Sequence, residues 1–299
     1  MNVERPPVCD YEGSDYQAKF WDRGERAYED GAEAVALKAL LPAAGRRLLE
    51  IGAGAGRNTP RYIGFERVVL LDYSLTQLQQ AQARLGRGPR YVYVAGDAYA
   101  LPFVPGLFDA ATMIRVIHHL ADAPRALRQT RAVLEPGGTF ILEFANKQNL
   151  KAILRWLLRR QAWSPFDPQP VEFAALNFDF HPRTMLTALR AAGLRPERVR
   201  TVSHFRLGTL KRLAPTGALV ALDGWMQPTG QWWQLSPSVF VRAQAAGDGP
   251  RAAPGKFFRC PACGGDEFDE AGGQLTCGQC RRGWAARDGI YDFRESLSG

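Results

Sequence analysis

The stretch Leu48-Leu49-Glu50-Ile51-Gly52-Ala53-Gly54-Ala55-Gly56-Arg57 constrains this chain more than any other. An apolar run suited to a buried parallel strand ends in an acid and three alternating glycines, and a helical segment follows. Glycine has no Cβ, so it takes positive φ cheaply and lets a ligand lie against the backbone. The N–H groups of the next helix then point at that ligand. Spacing narrows the ligand. The dinucleotide fingerprint is G-x-G-x-x-G, and here the third glycine comes one residue early.

Strand candidates follow the motif at regular intervals, with helical segments between them: Arg47–Ile51, Arg67–Asp72, Tyr91–Ala95 and Phe108–Val116, then Thr139–Phe144 after the turn Leu134-Glu135-Pro136-Gly137-Gly138. Such alternation predicts a parallel α/β sheet with right-handed crossovers, its ligand outside the C-terminal strand ends. Arg198–Phe205 and Ser238–Ala243 read as two final strands, separated by a long apolar insertion. Polar residues stand at the strand ends. Asp72 lies 22 residues after Glu50, where a carboxylate can accept from both hydroxyls of a ribose. Tyr73 can pack on an adenine face. In Gly96-Asp97-Ala98, Asp97 can accept from the adenine amino group and the Ala98 N–H can donate to a ring nitrogen.

The Glu50-x-Gly52-x-Gly54-x-Gly56 turn, Asp72, Gly96-Asp97-Ala98, Leu101-Pro102-Phe103, Phe108-Asp109, the His118-His119 pair and the Leu-x-Pro-Gly-Gly turn together resemble the ubiquinone/menaquinone-biosynthesis type (methyltransferase type 11) of class I methyltransferases, which use S-adenosylmethionine (SAM). The resemblance covers roughly residues 46–145. It implies a Rossmann-like doubly wound sheet of seven strands, the last antiparallel. Glu50, Gly52, Ala53, Gly54 and Gly56 would cradle the methionine part of SAM, Asp72 and Tyr73 would hold its ribose and adenine edge, and Asp97 and Ala98 its base. Arg115 falls where the family's main chain faces the methionine amine. His118 and His119, at a strand end near the expected methyl group, are candidate catalytic bases. A base is needed only if the acceptor must lose a proton.

Residues 1–41 read as an acidic helical lid, with Tyr16 and Tyr28 as candidate substrate contacts. Residues 42–244 are the catalytic domain, with a substrate cap over about 146–192 and 206–235 that carries Glu172 and His181. Lys147, Lys151, Arg155 and Arg159 fall four apart, so on a helix they would form one cationic stripe, able to meet RNA, phosphate or an anionic membrane. The net charge of +8 is uneven: residues 1–35 carry −5 and residues 256–299 carry −1, which leaves +14 on the body. A small or lipophilic acceptor is the first expectation. RNA or a translation factor, and a non-catalytic SAM-binding scaffold, are the alternatives. No 18-residue apolar run and no basic-then-apolar start appear, so a cytoplasmic protein is expected.

Residues 245–256 are small and rich in Gly and Pro, as a linker is. Residues 257–299 then present Cys260-x2-Cys263 and Cys277-x2-Cys280, close to the spacing of a tetrahedral zinc site in which all four ligands come from protein. That predicts structural Zn2+ rather than a catalytic ion. With Arg287-Asp288-Gly289-Ile290-Tyr291-Asp292-Phe293, this segment resembles Trm112-like zinc ribbons, small proteins that bind and activate methyltransferases. The resemblance implies an auxiliary domain fused to its own enzyme.

Overall fold

Apolar side chains at Leu48, Leu49 and Ile51 and at every position from Val68 to Leu71 suit strands covered on both faces, and the chain uses them so. The computed structural model describes residues 6–8, 12–13 and 26–297. Its strands are β1 (Gly45–Ile51), β2 (Phe65–Asp72), β3 (Tyr91–Ala95), β4 (Phe108–Met113), β5 (Leu134–Ala145), β6 (Val171–Ala174), β7 (Asn177–Asp179), β8 (Leu194–Val202), β9 (Ser238–Ala245), β10 (Phe268–Ala271), β11 (Gln274–Cys277), β12 (Gly283–Arg287) and β13 (Ile290–Leu297). Its helices are α1 (Ala27–Leu40), α2 (Leu75–Leu85), α3 (Ala123–Val133), α4 (Leu150–Leu157), α5 (Pro182–Ala191), α6 (Gly208–Leu213) and α7 (Thr216–Met226). Side chains cap several of them: Ser74 accepts from Gln77 N at 3.3 Å, Asp122 from Arg125 N at 2.9 Å and Asn149 from Ala152 N at 3.0 Å.

The sheet order β3-β2-β1-β4-β5-β9-β8 contains the seven expected strands, with β9 antiparallel to both neighbours. The count is nevertheless larger, because the sheet continues past β3. β13 pairs with it in parallel, Ile290 opposite Tyr93 and Asp292 opposite Ala95, and β12, β11 and β10 follow. The C-terminal segment is therefore not a separate knob. It completes an 11-stranded sheet.

Two boundaries differ from the sequence reading for a local reason. β4 stops at Met113 because Arg115 takes a left-handed φ of 60°, and β8 stops at Val202 because Ser203 does likewise at 67°. The long insertion between β8 and β9 holds α6, α7 and a 3-10 turn, Gln227–Gln231, that runs back along β8. α7 packs on α1 through Leu219 and buried Asp223. Among the described residues no helix is long and apolar enough to cross a membrane.

The expected linker is fastened along its length. Arg131 donates to Ala246 O at 2.9 Å, Ala252 N to Gly106 O at 3.1 Å and Val104 N to Phe257 O at 3.1 Å. Phe103, from the Leu-Pro-Phe step, stacks on Phe258 and meets Phe108 edge-on, so one aromatic cluster spans the parallel strands and the C-terminal segment.

Candidate functional site

β1, β2, β3 and β4 end along one rim, and the glycine turn after β1 rises over it. Gly52, Gly54 and Gly56 all hold positive φ, at 69°, 53° and 73°. At Gly52 an added Cβ would strike Val116, whereas at Gly54 it would meet nothing nearer than Gln77 Oε1 at 3.8 Å. The first glycine is forced by packing; the second leaves open space where a ligand lies close to the backbone. The cavity there is lined by Gly52, Ala53, Gly54, Asp72, Tyr73, Asp97, Ala98 and Arg115, all sequence-derived candidates. Ala55, Arg57, Asn58, Gln77 and the pair Ile114 and Val116 line it too, and sequence reasoning had not singled those out.

Asp72 is oriented before any ligand arrives. Gly54 N donates to its Oδ2 at 2.8 Å and Ser74 N to its Oδ1 at 2.9 Å. Asp97 is fixed the same way, accepting from Tyr99 N at 2.8 Å. The arrangement fits a nucleoside: two preset carboxylates, a Cβ-free floor and the aromatic Tyr73 share one rim.

Glu50 and Gly56 are placed differently from the expectation. Both stand outside the cavity lining. Glu50 is buried behind the turn, accepting from Thr59 Oγ1 at 2.6 Å and Tyr62 OH at 3.2 Å. Burial pushes its carboxyl up to about 7 despite those two hydrogen bonds. It braces the loop from below. Gly56 packs on Leu85 and Ala81 of α2.

The other expected contacts divide. Tyr28 is buried, donating to Asp223 Oδ2 at 2.6 Å and accepting from Phe205 N at 2.9 Å, so it ties α1 to the cap instead of facing acceptor. His181 caps α5, its Nδ1 accepting from Arg183 N at 3.2 Å. Glu172 is exposed and closes the β6–β7 turn by accepting from Leu176 N at 2.8 Å. Tyr16 lies outside the described residues. The four-cation stripe is broken at both ends. Lys147 is buried, donating to Gln169 O at 2.6 Å, and Arg159 lies beyond α4 with a φ of 55°. Only Lys151 and Arg155 remain on the helix.

A charged network not foreseen from sequence closes the cavity beside Arg115. Glu33 of α1, fully buried, receives Arg115 Nε at 2.7 Å and Arg57 Nη2 at 2.8 Å. Burial alone would raise this carboxyl, but the two guanidinium groups outweigh it and hold it at about 2. The Arg115 N–H donates to Glu143 Oε2 at 2.9 Å. Next along the chain, His119 lines the cavity and its Nδ1–H donates to Leu176 O at 3.0 Å, which makes Nε2 the acceptor nitrogen of the neutral ring. His118 Nδ1 is buried without a partner. Burial, then the neighbouring His119 and Arg115, push the His118 imidazole well below its ordinary range, so it is neutral.

Residues 49–142 match the family model described as a methyltransferase domain. The ubiquinone/menaquinone biosynthesis C-methyltransferase UbiE of Paracoccus denitrificans is 33% identical over 132 residues, 42% of this chain and 52% of that protein. The chain spans about half the length of the curated relatives it matches first, at 52%, 55% and 43%. The fold of the methyltransferase domain recurs in solved structures. A SAM-dependent methyltransferase from Thermotoga maritima shares it at 21% identity and a TM-score of 0.54, covering 76% of this chain and 96% of that one. A chain from the complex that holds the Haloferax volcanii Trm112 methyltransferase activator shares it at 18% identity and a TM-score of 0.54, with coverage of 77% and 96%.

At the far end of the sheet, the Sγ atoms of Cys260, Cys263, Cys277 and Cys280 all lie within 4.8 Å of one another. The closest pairs, Cys260–Cys280 and Cys263–Cys277, stand 3.6 Å apart. A tetrahedral zinc with four thiolates has sulfur–sulfur edges of about 3.8 Å, given Zn–S distances of about 2.3 Å. The donor set and its size fit. β13 pairs with β12 of the cysteine-bearing segment on one side and with β3, next to the cavity, on the other. Its Arg294 reaches over the Tyr73 ring at 5.8 Å, donates to Tyr73 O at 3.3 Å and pairs with Glu12 Oε2 at 3.5 Å.

Proposed function

We propose that this chain transfers a methyl group from SAM to a small, lipophilic acceptor. The observation that carries the reading is the Asp72 carboxylate, preset by the Gly54 and Ser74 amides at the mouth of a cavity that Asp97 closes on the other side. SAM, when bound, supplies a methyl group already activated by the sulfonium charge. What the chain adds is position and dryness. Asp72 would accept from the ribose hydroxyls and Asp97 from the adenine amino group. Arg115, pinned through Glu33 and Glu143, fixes the backbone between the glycine turn and the acceptor side. His119, which lines the cavity, offers a neutral imidazole there, able to accept a hydrogen bond from an acceptor hydroxyl and to take its proton where the acceptor must lose one, with the buried neutral ring of His118 beside it. The Paracoccus relative, by its name, methylates carbon in quinone biosynthesis. That supports a lipophilic aromatic acceptor, as do the many exposed apolar residues of the cap.

The breaking of the cation stripe removes the main sequence argument for RNA. In this reading the C-terminal segment is a zinc ribbon with a structural metal and serves the enzyme as an attached auxiliary domain. Its hydrogen-bonded seam with β3 and the reach of Arg294 to Tyr73 support that role.

Titration calorimetry with SAM tests the proposal. The full chain will bind it, and Asp72→Ala will weaken binding by about tenfold or more, since it removes charge-assisted hydrogen bonds. Absence of binding to the unaltered chain, or equal affinity in the variant, would overturn the reading.

A further inference from the structure

One surface of the cap combines large exposed apolar side chains with cations. α4 is amphipathic by sequence, yet its apolar face is not packed away: Ala152 is its one buried residue, while Leu157 is 62% exposed. Leu158, just past the helix, is 63% exposed. The neighbouring insertion adds Leu213 at 85% and Trp232 and Trp233 at 69% each. Such side chains are ordinarily buried, and a contiguous exposed set marks an interaction surface.

These segments share one rim. Leu150 N, at the start of α4, donates to Leu235 O at 2.8 Å, and Asn146 Nδ2 bonds both Gln234 O and Ser236 O. Val202 N, at the end of β8, donates to Ser236 Oγ at 3.0 Å, and α6 begins a few residues on. α4, α6 and the Trp232–Leu235 stretch therefore gather at the C-terminal ends of β5 and β8, the same side of the sheet as the cavity. Lys151, Arg155, Arg159, Arg160 and Arg212 are exposed among them. No Asp or Glu occurs from 147 to 166, and from 205 to 245 the only one is Asp223, which is fully buried.

We propose that this rim seats the protein on an anionic bilayer surface. Trp and Leu side chains would enter the interface while Lys and Arg keep their charged ends at the phosphate level. The charge pattern selects this occupant, since the five exposed cations outnumber the one exposed acid beside them, Asp167, and are complementary to anionic headgroups. Its large aliphatic content favours lipid over RNA, which would engage the cations and leave exposed leucine in water. The lipophilic-acceptor reading gives this seat a purpose, because an acceptor dissolved in the bilayer would be delivered to the same rim. Bilayer binding itself does not depend on turnover.

The test uses the full chain with vesicles of phosphatidylcholine alone and of phosphatidylcholine mixed with phosphatidylglycerol, at low and high salt. Co-sedimentation will rise about tenfold or more with the anionic lipid and fall as salt is added. The double variant Trp232→Ser/Trp233→Ser will lose most of the binding, and Arg155→Glu/Arg159→Glu will lose its salt-sensitive part. SAM titration of each variant, expected unchanged, reports that the fold and the cavity are intact. Failure to bind anionic vesicles, binding unaltered in both variants, or a stable dimer that buries Trp232 and Trp233 would overturn the inference. Vesicle binding by a chain that does not bind SAM would leave the bilayer seat standing and overturn the function proposed above.

Discussion

Glu33 shows how a residue far from any motif can decide the shape of a site. Its carboxylate neutralises Arg57, which follows the glycine turn, and Arg115, which follows β4, so one buried anion from α1 holds two walls of the cavity. Because its folded-state value is about 2 against an ordinary 4.5, its stabilising contribution is complete above the ordinary value and is lost as pH falls through the folded one. Glu33→Gln will therefore cost about 3 kcal/mol or more at neutral pH by stranding two buried guanidinium groups, with a smaller difference from the unaltered chain in strong acid. Denaturant unfolding across pH checks this, and a pH-independent difference would contradict it. His118 makes the opposite case. Its imidazole is held below the usual range, so it favours the neutral fold at high pH, and that contribution declines as pH drops below about 6.5. Its ring resonances in NMR will stay those of neutral imidazole from about pH 8 down to about pH 6. A midpoint at the ordinary value would refute the burial. Asp72, Asp97, Gly52 and Gly54 line the cavity, as chain spacing alone suggested. The sequence misassigned Tyr28 and His181 because their real partners, Asp223 and the Arg183 amide, satisfy buried polar groups that no local pattern announces.

At the scale of elements, the strands of the parallel sheet were legible from apolar runs, but the two left-handed stops, Arg115 and Ser203, were not. Neither is glycine or asparagine, the residues that most readily take a left-handed φ. The partner of β13 was equally hidden. Nothing in Ile290-Tyr291-Asp292-Phe293 says that it will pair in parallel with Tyr93-Val94-Ala95 rather than close a small sheet of its own. The pairing joins the segment that carries the four cysteines to the strand beside the cavity. Loss of zinc would free the loops that carry the cysteines, loosen β12 and β13, and release Arg294 from Tyr73. We expect one zinc per chain by elemental analysis. Removing it with a strong chelator will lower the thermal midpoint and weaken SAM binding several-fold, because structural zinc contributes about 10–16 kcal/mol to small domains of this kind. A metal-free preparation with unchanged melting and unchanged affinity would contradict that expectation.

For the whole molecule, α/β class and the place of the cavity followed from the order of motifs, whereas the strand order and the joining of the C-terminal segment to the same sheet did not. A Gly/Pro-rich stretch before a cysteine cluster reads as a tether between two bodies, yet here Phe103, Phe258 and Phe293 put both on one aromatic core. The long cap was legible as apolar but not as exposed, since a sequence gives side-chain character without saying which faces find a mate. The seam between β3 and β13 also protects the chain from itself. Tyr91-Val92-Tyr93-Val94-Ala95 is short, uncharged and rich in residues that favour extended backbone, and without the C-terminal segment it would end the sheet with bare amide and carbonyl groups. Proteolysis between 246 and 256 that let the tail drift away would thus yield a sticky remnant, prone to recruit strands from its neighbours.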